Sequence, residues 1–375
     1  MDFELSDERR MLAETAERFL RDRYTIEVRH RAAASEHGFD RDLWREFAEL
    51  GLVAALLPPE VEGLGGAGED LMVTFEALGR GLVVEPFLAT LAGTVPILRL
   101  GDEEDRALLG EVATGERLIA FAHGEPEGRY HPSHVGTRAE RTDDGWRLTG
   151  TKAVVANGDA ADTLLVSARV SGDVTDEEGL ALFLLDAAAE GVERRGYGMV
   201  EGGHAAEIAL DGALAKPLGE PGAAFPAIEE ALARGAFALA AEAIGIMDYC
   251  RETTLDYLKT RTQFGKPIGA NQALQHRMVD VWLEVEQARS AVMLAAAWLD
   301  APGEKGRAGR ERTVAAAKHL AGRVGRFVAE EAIQLHGGIA MTWDYPMAHY
   351  AKRLVMIDHL FGDADHHAVR YRQFA

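Results

Sequence analysis

The sequence predicts an α+β protein with an N-terminal α bundle, a middle antiparallel β domain and a C-terminal four-helix-type bundle. Apolar residues recur at helical spacing in the first third of the chain. Short runs punctuated by Gly or Asp-Gly replace that period between about residues 118 and 214. Long alanine-rich segments with a helical period then follow. We therefore expect domains at residues 1–117, 118–217 and 218–375.

The N-terminal segment carries several helix signals. Ser6, followed by Asp7 and Glu8, is typical of an N-cap with acidic residues in the first turn. Residues 43–52 and 71–82 keep the helical spacing of apolar side chains, and they predict two further helices.

The same patterns define elements in the other two domains. The runs that we expect to form strands are 118–121, 135–139, 146–148, 164–170, 180–185 and 206–210. The clearest helices of the third domain are 227–260, 272–300 and 310–337. Their short connections predict an antiparallel bundle.

Charge and cysteine content narrow the classes of function. The formal net charge of -21 argues against nucleic acid or an anionic membrane as the main partner. The single cysteine, Cys250, excludes an intrachain disulfide framework and fits a reducing cytosol. Neither a leader peptide at Met1–Leu5 nor a run of about 20 apolar residues is visible. We expect a cytoplasmic protein.

A glycine-rich segment, residues 63–68, matches the dinucleotide pattern G-x-G-x-x-G. That pattern indicates a phosphate site only where it joins a strand to a helix within a βαβ unit. Pro58 and Pro59 precede it and no series of parallel strands follows. We interpret it as a turn between helices.

Two other segments suggest a ligand site when they are taken together. Arg261 stands at the end of a predicted helix, where a guanidinium can grip a pyrophosphate, and Phe264 could pack against a ring. Gln334 offers directional hydrogen bonds, and the adjacent Gly337 and Gly338 would let a ligand approach the backbone. Taken alone, the first segment could equally be a helix end with solvated basic residues.

These motifs, R-x-x-F-G-K-P-I and Q-L-H-G-G, resemble those of the acyl-CoA dehydrogenase family, and the resemblance covers nearly the whole chain. It implies an α–β–α fold with FAD at a subunit interface, where the neighbouring subunit holds the dinucleotide. The residues that the resemblance assigns to FAD are Arg261, Gln263, Phe264, Gln334, Leu335, Gly337 and Gly338.

Three positions of the middle domain depart from the family pattern. Gly124 precedes Glu-Pro, where the family usually carries Thr or Ser. Val154 stands where the family usually places a Trp beside the flavin, and Ala156 replaces the usual Thr or Ser two residues later. The stacking surface and the hydroxyl donor are both missing, so this subunit's own isoalloxazine pocket is expected to be weakened.

The catalytic base is also missing from its usual positions. Dehydrogenation needs a carboxylate to remove the α-proton of the thioester. Phe361 occupies the common Glu position, and Gly235 occupies the alternative position on the first long C-terminal helix. Asp363 and Glu242 are nearby carboxylates that could substitute, although a solvated or salt-bridged acid is the simpler interpretation of each.

No metal site is expected. His366 and His367 are adjacent, and neighbouring side chains on a helix point about 100° apart, so they rarely close on one ion.

The leading hypothesis is FAD-dependent α,β-dehydrogenation of acyl-CoA thioesters, with this chain as the base-lacking subunit of a hetero-oligomer. The chain resembles actinobacterial-type subunits of α2β2 assemblies that act on sterol side-chain CoA esters. The resemblance implies an acyl-CoA substrate, a homologous partner subunit and an acceptor of the electron-transfer flavoprotein type.

Two alternatives remain open. A self-sufficient homo-oligomer would use a displaced acid such as Asp363 or Glu242, whereas a flavin-free structural subunit would only brace or regulate a partner. The three hypotheses predict about one half, one and no FAD per chain, in that order.

Overall fold

The computed structural model describes residues 5–375, and their elements follow the expected order of helices, strands and helices. The helices before the strands are α1 (Asp7–Arg23), α2 (Ile26–Ala33), α3 (Arg41–Glu49), α4 (Gly68–Gly81), α5 (Phe87–Leu100) and α6 (Glu103–Ala113). Those after them are α7 (Phe225–Thr260), α8 (Gln272–Leu299), α9 (Gly303–His336), α10 (Met347–His359) and α11 (Ala364–Gln373). The predicted fold class is confirmed.

The strands lie almost entirely between α6 and α7. They are β1 (Ile119–Ala122), β2 (Arg138–Thr142), β3 (Gly145–Ala156), β4 (Thr163–Arg169), β5 (Leu180–Asp186), β6 (Val192–Gly198) and β7 (His204–Gly222). A short hairpin of β8 (Thr262–Gln263) and β9 (Lys266–Pro267) follows α7.

Capping side chains explain where several helices begin. The Ser6 hydroxyl accepts a hydrogen bond from the backbone N–H of Arg9 at 3.3 Å, as its position before two acids predicts. Asp102 and Asp105 form a reciprocal capping box at the start of α6. Gly63 to Gly66 lie in the turn before α4, where no strand precedes them, so the dinucleotide pattern is indeed a turn.

The chain forms two compact units. One comprises the chain up to Arg29 with residues 67–83 and 236–375, and the other comprises residues 30–66 and 84–235. Because the boundary between 235 and 236 lies within α7, this helix contributes to both units. Each unit is built from separate segments of the chain and does not correspond to one of the three predicted domains. The three domain boundaries therefore stay a prediction.

The seven-stranded sheet is mostly antiparallel and closes on itself. Strands β4, β2, β3, β7 and β5 are neighbours in that order, β5 also pairs with β4, and β6 pairs with β7. Two pairings are parallel, since β1 runs alongside β4 and β2 meets β4 at one residue pair. The sheet is therefore mixed at this edge rather than antiparallel throughout.

Strand β4 is buried along its entire length, which fits its apolar residues Leu164–Val166. Leu164 and Val166 point into a core formed by the sheet itself, together with Phe183 of β5. Leu165 points the other way, into a second core shared with Leu109 of α6. Residues from both faces thus fix the register of the sheet.

A buried ion pair ties β3 to the segment after β1. The Lys152 ammonium is inaccessible to solvent and lies 2.7 Å from Glu125 Oε1. It also donates to the Ser167 hydroxyl at 3.1 Å, while Thr137 donates to Glu125. Although burial opposes ionisation, the Lys152 charge and these hydrogen bonds lower the pKa of Glu125 to about 2.

In the other unit, α4 and α7 cross with their backbones in contact. A Cβ atom at Gly245 would lie 1.9 Å from the Glu76 carbonyl oxygen, and one at Gly79 would lie 2.1 Å from that of Glu242. Only glycine leaves room for this approach.

Charged side chains surround this crossing. Arg289 lies 3.5 Å from Glu76 and donates to Asp248 at 2.7 Å, and Arg80 donates to Glu252 at 2.7 Å. Burial raises the pKa of Glu76 to about 7, and the attraction of Arg289 only partly offsets this. Glu76 is therefore a poorly stabilised carboxylate at neutral pH.

We predict that Lys152→Met lowers the free energy of unfolding by about 3–5 kcal/mol, because it leaves the buried Glu125 charge without its partner. Urea denaturation of purified variants measures the change. Lys216→Met is the matched control, since Lys216 pairs with Glu104 and Asp105 but is 45% exposed, and its loss should cost no more than about 1 kcal/mol. Equal losses would contradict the buried ion pair.

We also predict that Glu76→Gln flattens the decline in stability at alkaline pH. The folded-state pKa is raised, so the contribution of Glu76 is complete below its unfolded pKa and is lost as pH rises through about 7. At pH 8 the variant should exceed the wild type by about 1–3 kcal/mol, and at pH 5 the two should be similar.

Unfolding curves between pH 5 and 8 test this difference. Glu252→Gln is the opposite control, because the hydrogen bond from Arg80 lowers the pKa of Glu252. That variant should be less stable than the wild type at pH 8. A Glu76→Gln variant that is destabilised at pH 8 would show that the ion pair with Arg289 outweighs burial.

Candidate functional site

The β8–β9 hairpin presents an aromatic ring at its tip. Phe264 and Gly265 both have positive φ, 54° and 79°, as in the tight turns that connect antiparallel strands. Such a conformation is uncommon for a bulky residue. The Phe264 side chain is 99% exposed, so it packs against no described residue and is available to a ligand or another chain.

Arg261 lies at the base of this hairpin. Its backbone N–H continues the hydrogen bonding of α7 to Tyr257, and its carbonyl accepts from Ile268 at 2.9 Å, which closes the hairpin. The exposed guanidinium makes no hydrogen bond or ion pair with residues 5–375. Gln263 is also exposed, and its amide donates only to the neighbouring Thr262 carbonyl.

The Gln334–Gly338 segment ends α9. Gly337 leaves the helix with φ of 73°, and a Cβ atom at Gly337 or Gly338 would meet nothing within 4 Å. The backbone is therefore open to a ligand on this side. Gln334 is exposed, whereas the Leu335 side chain is only 6% exposed and lies in the core. Any contribution of Leu335 to a ligand must come from its backbone.

Packing between the ends of α7 and α9 brings the two segments together. Leu335 packs with Leu258 of α7 and Met278 of α8. The His336 ring stacks on Tyr257 with centroids 4.5 Å apart and hydrogen-bonds to the Ala332 carbonyl through Nδ1. Burial lowers the pKa of His336, so this residue is a neutral packing element. Tyr257 was missed from sequence because nothing nearby distinguishes it from other aromatic residues.

The site combines a cation, an exposed ring and an open glycine backbone within one compact unit. Arg261 can bind a pyrophosphate, and Phe264 can pack against a flat ring system. Gln334 can hydrogen-bond to ribose or ring oxygens, while Gly337 and Gly338 let the ligand approach. These donors fit a dinucleotide cofactor.

The two candidate carboxylates have structural partners. Both oxygens of the buried Glu242 accept hydrogen bonds from Arg353, at 2.6 and 2.8 Å. Asp363 caps α11 by accepting from the backbone N–H of His366 at 2.8 Å. These contacts favour structural roles and leave neither acid poised as a base.

The two usual base positions offer no titratable group. Gly235 is buried in α7. Phe361 is half-buried in a turn with φ of 55°, and the Lys318 ammonium fixes that turn by donating to the carbonyl of Gly362 at 2.6 Å. This turn therefore has a defined shape although it carries no acid.

Other reactive groups are accounted for. Burial raises the pKa of Cys250 to about 12, so its thiol is not activated. Within residues 5–375 no group of three or more His, Cys, Asp and Glu side chains is arranged to hold a metal ion. His367 hydrogen-bonds to the Phe361 carbonyl at 2.9 Å.

No helix in the described part of the chain has the length and apolarity needed to cross a membrane.

In the middle domain, Val154 and Ala156 lie at the end of β3. Val154 is 50% exposed and Ala156 is half-buried. The Gly124 carbonyl accepts from the backbone N–H of Ala153 at 2.8 Å, so the three departures from the family pattern lie close together.

Models of the three domains of one known family match successive parts of the chain. Residues 6–116, 120–210 and 223–367 match the models of the N-terminal, middle and C-terminal domains of acyl-CoA dehydrogenase. Acyl-CoA dehydrogenase IpdE2 of Mycobacterium tuberculosis (strain ATCC 25618 / H37Rv) is 31% identical over 92% of this chain and 91% of the relative.

Two solved structures are similar over almost the whole chain. A variant of the Tcur3481-Tcur3483 steroid ACAD superposes with a TM-score of 0.88 at 32% identity, covering 98% of this chain and 97% of the other. The ChsE4-ChsE5 complex from Mycobacterium tuberculosis has a TM-score of 0.88 at 25% identity, covering 100% and 98%. This chain belongs to the acyl-CoA dehydrogenase family, FAD-dependent oxidoreductases that act on acyl-CoA.

Proposed function

We propose that this chain is the base-lacking subunit of a hetero-oligomeric acyl-CoA dehydrogenase. The proposal rests on one observation: none of the four residues that could act as the catalytic base is available to accept a proton. Phe361 and Gly235 cannot accept a proton, Glu242 is held by Arg353 through both oxygens, and Asp363 caps a helix. A homologous partner subunit supplies the missing carboxylate.

In this proposal, the residues of this chain bind FAD and do not remove the proton from the substrate. Arg261 holds the pyrophosphate of FAD, Phe264 packs against its flat rings, Gln334 orients it by hydrogen bonds, and Gly337 and Gly338 let it approach. When bound, FAD accepts the hydride equivalent that leaves Cβ of the thioester. The solvent exposure of Arg261 and Phe264 supports binding in trans, to a cofactor whose ring lies in the partner's pocket.

The substrate class that we propose is a steroid-derived acyl-CoA ester, with an electron-transfer flavoprotein as acceptor. The similarity to a steroid ACAD over 98% of the chain supports this class. The similarity to one chain of the ChsE4-ChsE5 complex supports a heteromeric assembly, for which α2β2 is the simplest closed form. The single buried thiol, Cys250, supports a cytoplasmic location.

We predict that Arg261→Ala releases FAD from the purified complex without unfolding the chain. A charged hydrogen bond contributes about 1.5–3 kcal/mol, so the FAD dissociation constant should rise about 10- to 100-fold. Absorbance of retained flavin measures the loss, and the far-ultraviolet circular dichroism checks the fold. Lys259→Ala, which removes an exposed cation two residues away, should retain FAD. Unchanged flavin content in Arg261→Ala would refute the assignment.

We predict that the chain expressed alone does not dehydrogenate an acyl-CoA, since loss of a positioned base costs about 10²–10⁴ in rate. Activity with an artificial electron acceptor should appear on co-expression with the partner and disappear when the partner's Glu is removed. About half an FAD per chain is expected in the complex.

The opposite outcomes identify the alternatives. Turnover by the chain alone that is abolished by Asp363→Asn would establish a displaced base and a self-sufficient enzyme. Glu242→Gln needs an unfolding curve beside the assay, because it also weakens the contact with Arg353. A complex that contains no flavin would instead establish a structural subunit.

A further inference from the structure

Helix α8 is apolar on two opposite faces. Large apolar side chains on its outer face remain exposed, namely those of Val279 (52%), Leu283 (59%) and Leu294 (43%). With 3.6 residues per turn, these three side chains lie within about 60° of one another around the helix. A helix that is apolar on all sides is expected to be buried on all sides. The residues that are buried on the inner face are Met278, Val281, Val285, Ala288, Val292, Ala295, Ala296 and Leu299.

Two tryptophans flank this outer face and are held in place although they are exposed. The Arg251 guanidinium lies 5.4 Å from the centre of the Trp282 ring, and this ring is 56% exposed. Trp298, which is 37% exposed, packs so closely on α9 that a Cβ atom at Gly309 would lie 2.1 Å from its ring. Fixed aromatic side chains of this kind are typical anchors of protein interfaces.

The centre of the outer face is small and uncharged. Gln287 and Ser290 are the exposed residues between Leu283 and Leu294 on this stripe, and the Ser290 hydroxyl donates to the carbonyl of its own helix at 2.8 Å. Glu286 lies to one side, where Arg289 is 3.7 Å away. The stripe therefore has bulky apolar residues at both ends and a small middle, which lets another helix approach closely.

This pattern is complementary to itself. Leu283 and Leu294 lie at equal distances on either side of a point near Ala288. If a second copy of α8 crosses antiparallel at that point, Leu283 of each copy meets Leu294 of the other. The same rotation brings Val279 against Ala297, which is also exposed. Contacts that occur twice in this way are the property of a two-fold interface between identical chains.

We propose that α8 pairs with α8 of a second copy of this chain, antiparallel across a two-fold axis near Ala288. The helix has 28 residues and is thus about 42 Å long, and with a width of about 10 Å it offers roughly 400 Å². The flanking Trp282, Trp298 and Leu255, which is 40% exposed, widen this face toward the ~800 Å² per chain of a standard interface.

The inference goes beyond the proposed function, because it concerns contact between like chains and requires no other subunit. The proposed axis lies 16 residues after the start of α8, about 24 Å along the helix from the hairpin that precedes it. The hairpin with Phe264 therefore stays available to a different chain. One surface for the like chain and another for an unlike chain are what a closed α2β2 assembly needs.

Sedimentation equilibrium of the purified full-length chain tests the pairing, and a dimer is expected. Leu283→Glu and Leu294→Lys should each raise the dimer dissociation constant at least about 100-fold, because the two-fold axis places each change in the interface twice. Both side chains are exposed in the single chain, so the variants should keep their fold and thermal midpoint. Val369→Glu, at a position on α11 that is 56% exposed, is the matched control and should remain dimeric.

The double variant Leu283→Glu with Leu294→Lys tests the antiparallel arrangement. The introduced carboxylate of each copy then faces the introduced ammonium of the other, so dimerisation should recover by about 10-fold or more. Within one chain the two positions are 11 residues apart, about 16 Å along the helix, so they cannot compensate each other there. A dimer that is broken by the single changes and not restored by the double variant would overturn the two-fold arrangement.

The complex with the partner subunit separates this inference from the proposed function. Leu283→Glu should divide the complex into one-to-one heterodimers that retain FAD, whereas Arg261→Ala should lose FAD and keep the pairing of like chains. A wild-type chain that is monomeric by itself at micromolar concentration would overturn the inference. If Leu283→Glu then separated the chain from its partner, the α8 face would belong to the unlike subunit.

Discussion

Helices α4 and α7 approach until their backbones are in contact, and this contact constrains how the two helices can pack. Gly79 and Gly245 lie where any Cβ atom would meet a carbonyl of the other helix. Along α7, Glu242 lies beside Arg353 of α10, and farther on Tyr257 stacks on His336 of α9. The end of α7 packs against α8 and α9 and leads into the hairpin that contains Phe264, with Arg261 at its base. The helix that carries the proposed cofactor-binding side chains is thus the one that approaches α4 through Gly245.

The arrangement of charges distinguishes structural from functional residues in this acidic protein. Buried carboxylates are matched by cations, as in the pairs Glu242–Arg353 and Glu125–Lys152. A charge buried without a partner costs several kcal/mol, so such pairs are required wherever an acid enters the core. Arg261 differs, because it is a cation with no protein partner among the described residues. An unmatched guanidinium beside an exposed ring and open glycines is the arrangement that a phosphate-bearing ligand requires.

The middle domain combines a retained framework with lost functional groups. Its buried ion pair and the bulge of β3, where Ala153 and Val154 face Glu207, are in place, yet Val154 and Ala156 offer neither a ring nor a hydroxyl. The Val154 backbone has a φ of 53°, which is uncommon for a β-branched residue. The proposed role, which is to bind FAD for a partner subunit, uses the exposed hairpin rather than this ring pocket.

The sequence alone determined the order of helices and strands, because hydrophobic periodicity and turn residues are local signals. It also predicted a cofactor site at Arg261, Phe264 and the glycines after Gln334, since these motifs lie in short contiguous segments. It did not reveal β6, whose polar, arginine-containing run is mostly solvent-facing, or the parallel pairing of β1 with β4. Only the tertiary structure decided that Leu335 points into the core. It also decided that Arg353 donates hydrogen bonds to Glu242, which lies 111 residues earlier in the chain. Likewise, the hydrogen bond from Tyr197 to Glu207 depends on the pairing of β6 with β7. Side-chain partners of this kind are set by long-range packing, which no local pattern encodes.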